Sequence, residues 1–284
     1  MEFKLNEALK CEIEKTEIDL LLEAIYRVYG LEFRNYSQQF IRRRIFRRMM
    51  AERLNSISGL QEKVLHNPEV MEKLFSDLSI NVTEMFRNPD FFRSLRTKVV
   101  PKLREYPFIR IWHAGCSSGE EAYSMAILLH EEGLYHKTKI YATDICDKAL
   151  NKARQGIIKL EKMQEYTKNY HKAGGNCEFS EYYSVKNSEV FFSQDLKKNI
   201  IFAQHNLATD HSFNEFHVII CRNVTIYFNK TLQERVYNLF NQSLGKNGIL
   251  GLGDKEVLKY SSISNSYAEL DAEQRIYKKI SFTE

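Results

Sequence analysis

The residues best placed to do chemistry follow an apolar segment, IRIWHAG, at positions 109–115. Gly115 and Gly119 allow a tight turn in which a ligand can approach the backbone closely, and a helix starting there would offer unpaired N–H groups. Glu120 and Glu121 at that helix start would repel a pyrophosphate, and the loop lacks the GxGxxG spacing of dinucleotide-binding folds. The two acids suit a cationic ligand, although an ordinary strand-to-helix turn would show the same sequence.

Polar residues also follow two later apolar segments. Asp144 ends KIYATD, about one strand–helix–strand unit downstream, where a carboxylate can accept hydrogen bonds from both hydroxyls of a ribose. It could instead cap the next helix. Arg222 and Asn223 follow FHVIIC, and the ends of parallel strands share one crevice, although Arg222 could equally be a structural arginine. One cationic ligand that carries a ribose is S-adenosylmethionine, whose methionine part has an amino group.

A further polar cluster lies upstream in LSINVTEMFRNPDFFRSLR, residues 78–96. Asn81 and Thr83 could hold a polar ligand, and if the segment is helical, Arg87 would lie on the same face as Thr83, four residues before it. Packing explains this segment equally well, because its phenylalanines are typical core residues.

The elements that must position these residues change in character along the chain. Charged and apolar positions alternate at helical spacing up to about residue 75, which predicts a small helical domain over 1–78 and a linking helical segment over 79–100. From residue 101 to 284, short apolar runs alternate with helical stretches, which predicts parallel strands in a layered α/β domain. A polar, aromatic-rich stretch near 157–197 predicts an inserted subdomain with short strands.

The segment FIRRRIFRRMM, residues 40–50, predicts an amphipathic helix because Ile41, Ile45 and Met49 recur four residues apart. Arginines fill the intervening positions: Arg42, Arg43, Arg44, Arg47 and Arg48. The helix would present a cationic surface, which is either solvated, paired with the acids of residues 12–23, or available to a partner.

Bulk composition excludes several classes of protein. The 284 residues, 43% of them hydrophobic, can bury a full-sized core, and a net charge of +4 is too small to predict nucleic-acid binding. Five scattered cysteines without metal-ligand spacing predict neither a disulfide framework nor a metal site. No apolar run reaches 18 residues and the first twenty residues carry acids, so we expect a cytoplasmic protein without membrane insertion.

Taken in order, these segments resemble the CheR family of protein-glutamate methyltransferases. SINVTEMFRNPDFF is similar to the family's pre-catalytic motif, WHAGCSSGEEAYSMA to its cofactor loop, ATDI to its ribose-binding strand end, and CRNVTIYF to its active-site signature. The resemblance runs from about Leu20 to about Gly253. It implies an α/β class I methyltransferase (Rossmann-like) fold: a mainly parallel seven-stranded sheet, a small all-α N-terminal domain and a small antiparallel β-subdomain insertion.

The resemblance also implies a site and a reaction. The enzyme would transfer a methyl group from S-adenosylmethionine, leaving S-adenosylhomocysteine, to glutamates of chemotaxis receptors, with Arg87 and Tyr227 bordering the methyl group as catalytic residues. The expected partner is the acidic helical methylation region of a chemoreceptor cytoplasmic domain, bound by a monomer. Residues expected to bind this partner are Arg43, Arg44, Arg47 and Arg48. Residues expected to bind the cofactor are Asn81, Thr83, Arg87, Gly115, Glu121, Asp144, Asn206, Leu207, Arg222 and Asn223.

The sequence departs from the family pattern in places, and two other functions stay open. Asn229 stands where the family commonly has Asp, GDKE at 253–256 replaces a frequent Ser-Glu pair, and the insertion lacks the glycine-rich hairpin that tethers some members to receptors. The alternatives are a methyltransferase of another substrate class and a regulator that senses the cofactor without turnover. The first is disfavoured for DNA because CRNVTIYF stands where an NPPY or DPPY motif would be expected.

Overall fold

A computed structural model describes residues 6–79 and 82–280, and the chain divides into two compact units. The smaller unit consists of Met1–Ile80 together with Tyr227–Gln233, and the larger one of Asn81–Ile226 and Glu234–Glu284.

The smaller unit is helical, and its helix ends follow from local capping. Asn6 caps the first helix by accepting a hydrogen bond from Leu9 N at 2.8 Å, and Gly30, at φ 68°, ends it in a left-handed conformation. Asn67 caps the fourth helix, whose first residue is Pro68. Within the described residues its helices are α1 (Glu7–Tyr29), α2 (Gln38–Ala51), α3 (Ile57–His66) and α4 (Pro68–Leu78).

These helices enclose a core of their own, to which α2 contributes Phe40, Ile41 and Ile45. The segment Tyr227–Gln233 belongs to this unit through backbone hydrogen bonds. Ser37 N donates to Tyr227 O at 2.8 Å, and Asn229 N donates to Asn35 O at 2.9 Å. The all-α N-terminal domain expected from the sequence is confirmed.

The larger unit is built on a seven-stranded sheet. Its strands are β1 (Ile109–Ala114), β2 (Thr138–Asp144), β6 (Ile200–Gln204), β7 (Phe216–Cys221), β8 (Leu244–Leu252), β9 (Tyr267–Asp271) and β10 (Ile276–Lys279). Their order is β6-β2-β1-β7-β8-β10-β9; neighbours are parallel from β6 to β8, and β10 is antiparallel to both β8 and β9. The expected mainly parallel seven-stranded sheet is confirmed.

A second, antiparallel sheet interrupts this unit. Strands β3 (Ile157–Lys159), β5 (Glu189–Phe192) and β4 (Tyr183–Lys186) pair in that order, which confirms the expected inserted β-subdomain. The helices of the larger unit's chain segments are α5 (Pro89–Ser94), α6 (Val100–Leu103), α7 (Glu120–Glu131), α8 (Asp147–Gln155), α9 (Met163–Lys172), α10 (Gln194–Lys197) and α11 (Lys230–Ser243), which starts in the smaller unit.

The strand order creates the position of the site. The chain leaves β1 for β2 and β6 on one side and returns to β7 on the other side of β1. In open α/β sheets, ligands bind outside the carboxyl ends of the strands at such a reversal. The segments that follow β1, β2, β6 and β7 therefore meet at one edge. The central strands β1 and β7 are buried on both faces. Their residues are therefore apolar almost throughout and do not alternate between apolar and polar.

Candidate active site

The loop between β1 and α7 is a tight turn held by its neighbours. Gly115 and Gly119 have φ values of 79° and 90°, in the left-handed region that favours glycine. A Cβ at Gly115 would lie 2.5 Å from Val224 Cγ2, and one at Gly119 would lie 2.9 Å from Ala153 Cβ. Gly115 N donates to Thr143 O at 2.8 Å, which fixes the loop against the end of β2.

Asp144, the last residue of β2, turns its carboxylate toward this loop. Its Oδ2 accepts a hydrogen bond from Ser117 N at 2.8 Å and its Oδ1 accepts one from Cys146 N at 2.9 Å. Burial raises the pKa of Asp144 above its ordinary value, although the backbone N–H groups counteract this. Each oxygen can accept a further hydrogen bond, so Asp144 can still receive two hydroxyl donors. Cys146, rather than Asp144, occupies the N-cap of α8.

Glu121 lies in the first turn of α7 between two basic side chains. Its Oε1 is 2.9 Å from His113 Nδ1 on β1, and its Oε2 accepts a hydrogen bond from Arg222 Nη1 at 3.0 Å. Burial alone would raise the pKa of Glu121, but the hydrogen bond with His113 and the charge of Arg222 outweigh it, so the net shift is downward. Glu121 is therefore an ionised carboxylate at neutral pH, at the carboxyl end of β1.

Arg222, just after β7, joins three segments. Besides Glu121, its guanidinium donates to Arg87 O at 3.1 Å and to Asn88 Oδ1 at 2.7 Å, and it lies 4.1 Å from the ring centroid of Phe91. The side chain is almost wholly buried. Arg222 thus holds the upstream segment against the end of β7, which is the structural role that the sequence left open for it, although its partners could not be predicted.

The segment that contains Thr83 and Arg87 is not helical. A shared helical face for these two residues was the prediction. Residues 82–88 contain no helix, and Phe86 and Asn88 have φ values of 50° and 54°. The expected four-residue helical spacing is therefore wrong, because α5 begins only at Pro89. Arg87 is half-exposed and Thr83 partly so. Asn81 lies outside the described residues.

Asn206 and Leu207 form a turn after β6 that reaches the end of β2. His205 N donates to Asp144 O at 3.2 Å, and Asn206 Oδ1 accepts a hydrogen bond from Ala208 N at 2.9 Å. Leu207 is buried, and so is the His205 ring, whose centroid lies 5.2 Å from that of Trp112. The structure thus brings this turn to the same sheet edge as Asp144.

Comparison with known proteins matches both parts of the chain to one family. Residues 81–274 match the model described as CheR methyltransferase, SAM binding domain, and residues 16–79 match CheR methyltransferase, all-alpha domain. The chain belongs to the CheR methyltransferase family. S-adenosylmethionine, abbreviated SAM in that description, is its cofactor.

Three relatives of this CheR chain match it along most of their own length. A Pseudomonas putida protein with the provisional name methyltransferase Cher3 is 49% identical over 263 residues, covering 93% of this chain and 96% of the relative. A chemotaxis protein methyltransferase of Borreliella burgdorferi is 32% identical over 268 residues, covering 88% and 91% respectively. One of Listeria innocua is 28% identical over 234 residues, covering 82% and 86%.

Several buried polar groups at the sheet edge lack a hydrogen-bond partner among the described residues and are free to bind this cofactor. In the part of the chain that the structure describes, five buried side-chain polar atoms have no hydrogen-bond partner, and four of them belong to segments at the carboxyl ends of β1, β6 and β7. Buried polar groups normally have partners, so their concentration here indicates ligand contacts. The four are His113 Nε2, Ser117 Oγ, His205 Nδ1 and Arg222 Nε.

Asn223 is positioned by a residue that the sequence analysis mentioned only as a departure from the family pattern. Asn223 has φ 61°, and its N–H donates to Glu256 Oε2 at 2.9 Å. Glu256 is buried just beyond the end of β8, four residues after Leu252. The only sequence signal is an acid shortly after a late strand, which does not reveal its partners.

The arginines of α2 divide into two groups within the smaller unit. Arg48 is 15% exposed, and its guanidinium is already paired with Asp77 at 2.6 Å and Glu52 at 3.3 Å. Arg42 pairs with Glu14, as the alternative of internal pairing proposed. The remaining three, Arg43, Arg44 and Arg47, form what we call the arginine surface.

Two members of the arginine surface, Arg43 and Arg47, are exposed, and none of the three forms an ion pair with a described residue. Arg44 is half-buried, with its guanidinium 5.5 Å from the ring centroid of Phe40. Tyr227 belongs to the same unit, is half-buried, and lies 4.9 Å from Phe40 by ring centroids.

Among the helices of residues 6–79 and 82–280, none is both long and apolar enough to cross a membrane. The same residues contain no group of three or more His, Cys, Asp or Glu side chains arranged to hold a metal ion.

Proposed function

We propose that this chain transfers a methyl group from S-adenosylmethionine to glutamate side chains of methyl-accepting chemotaxis receptors, forming glutamate 5-O-methyl esters. The observation that carries the proposal is the Glu121 carboxylate, held between His113 and Arg222 at the same sheet edge as Asp144. The names of the Borreliella burgdorferi and Listeria innocua relatives support chemotaxis as the setting. Receptor cytoplasmic domains as acceptors would place the enzyme in the cytoplasm.

The two acids at the sheet edge, Glu121 and Asp144, each receive a role in this proposal. Glu121 accepts hydrogen bonds from the cofactor's amino group, because a fixed carboxylate is the natural partner of an ammonium. Asp144 accepts hydrogen bonds from the ribose hydroxyls through the lone pairs that Ser117 and Cys146 leave open. The further cofactor contacts that we propose are Asn81, Thr83, Arg87, Gly115, Asn206, Leu207, Arg222 and Asn223.

The reaction needs no general base from the protein. A glutamate side chain has an ordinary pKa of about 4.3, so at neutral pH it is already the carboxylate nucleophile. When bound, S-adenosylmethionine supplies a methyl group on a positively charged sulfonium sulfur, which a carboxylate can attack directly. The protein's task is then to exclude water and to align the carboxylate, and alignment turns a bimolecular encounter into an effectively unimolecular step.

We assign that alignment to Arg87 and Tyr227. A guanidinium can bind a carboxylate with two hydrogen bonds, and a phenol hydroxyl can donate a third. Arg87 is half-exposed, and its one side-chain hydrogen bond to a described residue is long, 3.4 Å from Nη1 to Val82 O, so its guanidinium is available to an acceptor. The arginine surface would attract and orient an acidic receptor helix before the carboxylate is aligned.

One assay distinguishes this proposal from its alternatives. The protein is incubated with methyl-labelled S-adenosylmethionine and either receptor cytoplasmic fragments or nucleic acid. We expect label on the receptor fragments that is released by base, because carboxyl methyl esters hydrolyse readily in alkali. Label on nucleic acid would select another substrate class, and tight cofactor binding without any transfer would select a cofactor-sensing regulator.

Two variants test the alignment. Tyr227→Phe and Arg87→Ala should each lower the methylation rate by about tenfold or more, and Tyr227→Phe should leave the Kd for S-adenosylhomocysteine within about twofold. Tyr29→Phe is the matched control, because Tyr29 lies in the same unit and its hydroxyl donates to Val64 O at 2.8 Å. Unchanged methylation rates in both variants, with cofactor binding intact, would remove Arg87 and Tyr227 from the alignment.

A further inference from the structure

Glu256 places a carboxylate against the backbone of the turn that follows β7. Its side chain is 2% exposed. Oε1 accepts hydrogen bonds from Val224 N at 2.9 Å, Thr225 N at 2.8 Å and Thr225 Oγ1 at 2.9 Å. Oε2 accepts hydrogen bonds from Asn223 N at 2.9 Å and Gly253 N at 2.6 Å. One buried carboxylate therefore engages three successive residues of the turn and the end of β8.

All five donors are uncharged: four are backbone N–H groups and one is a hydroxyl. Successive N–H groups that point into one concavity form an anion-binding nest, and hydrogen bonds to an ionised acceptor are stronger than those between neutral groups. The charge of Glu256 is thus compensated by the conformation of the backbone. The N–H groups stabilise the charge of Glu256 only while they point toward its carboxylate. The carboxylate therefore holds the Asn223–Thr225 turn in that conformation.

The surroundings of the carboxylate show how closely this arrangement is packed. A Cβ on Gly253 would lie 2.5 Å from Glu256 Oε2 and 3.0 Å from Asn223 N, so a larger residue there would have to displace the carboxylate or the turn. Asn223 has a φ of 61°, a conformation that is uncommon for residues other than glycine. Strands β7 and β8 are neighbours, with Cys221 paired to Leu252, so Glu256 ties together the ends of two adjacent strands.

We infer that Glu256 is a positioning residue for the cofactor site, acting through the backbone turn that carries Arg222 and Asn223. This inference rests on the proposed function in one respect, the assignment of Arg222 and Asn223 to the cofactor. Arg222 donates hydrogen bonds to Glu121, Arg87 O and Asn88 Oδ1 at the same time. A less rigid turn would let its guanidinium occupy several positions. The consequence is a loss of cofactor affinity greater than the loss of stability alone explains.

Glu131 offers a matched control for the test. Its side chain is 1% exposed and is held by Arg96, Tyr170 and Tyr182, so it is also a buried carboxylate with several donors. It lies in α7 ten residues after Glu121, about 15 Å along the helix axis at 1.5 Å per residue. Glu131→Gln therefore removes a comparable charge from the same unit, away from the turn.

The experiment compares wild-type protein, Glu256→Gln and Glu131→Gln by calorimetric titration with S-adenosylhomocysteine, well below the unfolding midpoint of each protein. Both variants should unfold at lower temperature than the wild type. Only Glu256→Gln should raise the Kd, by about tenfold, while Glu131→Gln stays within about twofold of the wild type. If Glu256→Gln binds the ligand as tightly as the wild type, or if Glu131→Gln weakens binding equally, the inference is wrong.

A second variant keeps the test decisive if Glu256→Gln does not fold. Gly253→Ala retains the carboxylate, but its Cβ would displace Oε2 from the turn, so we expect a similar rise in Kd. Normal affinity in Gly253→Ala would overturn the inference. Titration with S-adenosylhomocysteine does not involve a methyl acceptor, so a wrong receptor assignment would appear in the labelling assay and leave this result unchanged.

Discussion

Charged side chains serve opposite purposes in the two units of this CheR protein. In the larger unit, Glu121, Arg222 and Asp144 are largely or wholly buried, and each has hydrogen-bond partners fixed by the fold. In the smaller unit, Arg43 and Arg47 extend from α2 into solvent. A buried charge is held in one geometry by its hydrogen-bond partners. An exposed charge attracts an oppositely charged partner before the two molecules touch.

This difference predicts how each region responds to change. A buried ion pair loses several kcal/mol when one partner is removed, because the other charge stays in a poorly solvated place. Exposed charges each contribute about 1 kcal/mol or less, and salt screens them over roughly 10 Å. A single substitution should therefore be enough to weaken binding at the cofactor site. Binding at the arginine surface should weaken only when several arginines are replaced together or when the ionic strength is raised.

The largest effect is expected from Glu121→Gln. The substitution removes the charge that we assign to the cofactor's amino group and leaves Arg222 buried without its carboxylate. The Kd for S-adenosylhomocysteine, measured by calorimetry, should rise by about a hundredfold, or about 2.8 kcal/mol.

Glu132→Gln is the control for this substitution. Glu132 directly follows α7, is 20% exposed against 15% for Glu121, and pairs with Arg96 and Arg104. It should leave the Kd within about twofold of the wild type. Equal affinities in Glu121→Gln and the wild type would show that the buried charge is not a cofactor contact.

The sequence predicted the parts of the site that depend on local order along the chain. Gly115 and Asp144 lie at strand ends that periodicity alone locates, and parallel strands bring their ends to one edge whatever the rest of the fold. The amphipathic pattern likewise predicted that Ile41 and Ile45 are buried, as they are.

Partners from distant segments were not predictable in the same way. Arg48 has the same spacing as its neighbours in α2, but Asp77 on α4 pairs with it, and only the packing of the two helices shows this. Glu256 reaches the Asn223–Thr225 turn because β8 lies beside β7. The attachment of Tyr227–Gln233 to the helical unit depends on hydrogen bonds to Asn35 and Ser37, nearly 200 residues earlier.

The arginine surface should give the next largest effect. Replacing Arg43, Arg44 and Arg47 together by Ser should raise the KM for a receptor fragment by about tenfold at low ionic strength, because three weak long-range attractions are lost. The KM for S-adenosylmethionine should stay within about twofold. Initial methylation rates at varied receptor concentration measure both constants.

Arg42→Ser is the control, since Arg42 is also exposed but already paired with Glu14. Its removal should leave the receptor KM within about twofold of the wild type. A triple variant with wild-type KM would mean that α2 presents only a solvated cationic face.

Ionic strength should separate the two regions without any substitution. Between about 0.05 and 0.3 M salt, the receptor KM of the wild type should rise several-fold because the Debye length shortens. The Kd for S-adenosylhomocysteine should change by less than about twofold, since buried pairs are screened little. In the triple arginine variant the receptor KM should depend less on salt; an equal dependence would place the attraction on other residues.

The smallest effect concerns pH, and it distinguishes the two acids of the cofactor site. The pKa of Glu121 is lowered in the folded protein, despite burial, by His113 and Arg222, so its ionisation stabilises the fold above its unfolded pKa of about 4.5. That contribution is lost as the pH falls through the folded pKa. The destabilisation caused by Glu121→Gln should therefore be larger at pH 7 than at pH 4, when urea unfolding is compared with the wild type.

Asp144 should show the opposite sign. Burial raises its pKa in the folded protein, so its ionisation opposes folding as the pH rises through the unfolded and then the folded pKa. Relative to the wild type, Asp144→Asn should be more stable at pH 7 than at pH 4, because the amide carries no charge to desolvate. Parallel pH dependences in Glu121→Gln and Asp144→Asn would mean that His113 and Arg222 do not offset the burial of Glu121. Burial would then dominate the pKa of both Glu121 and Asp144, and the assignment of Glu121 as the ionised partner of a cation would be wrong.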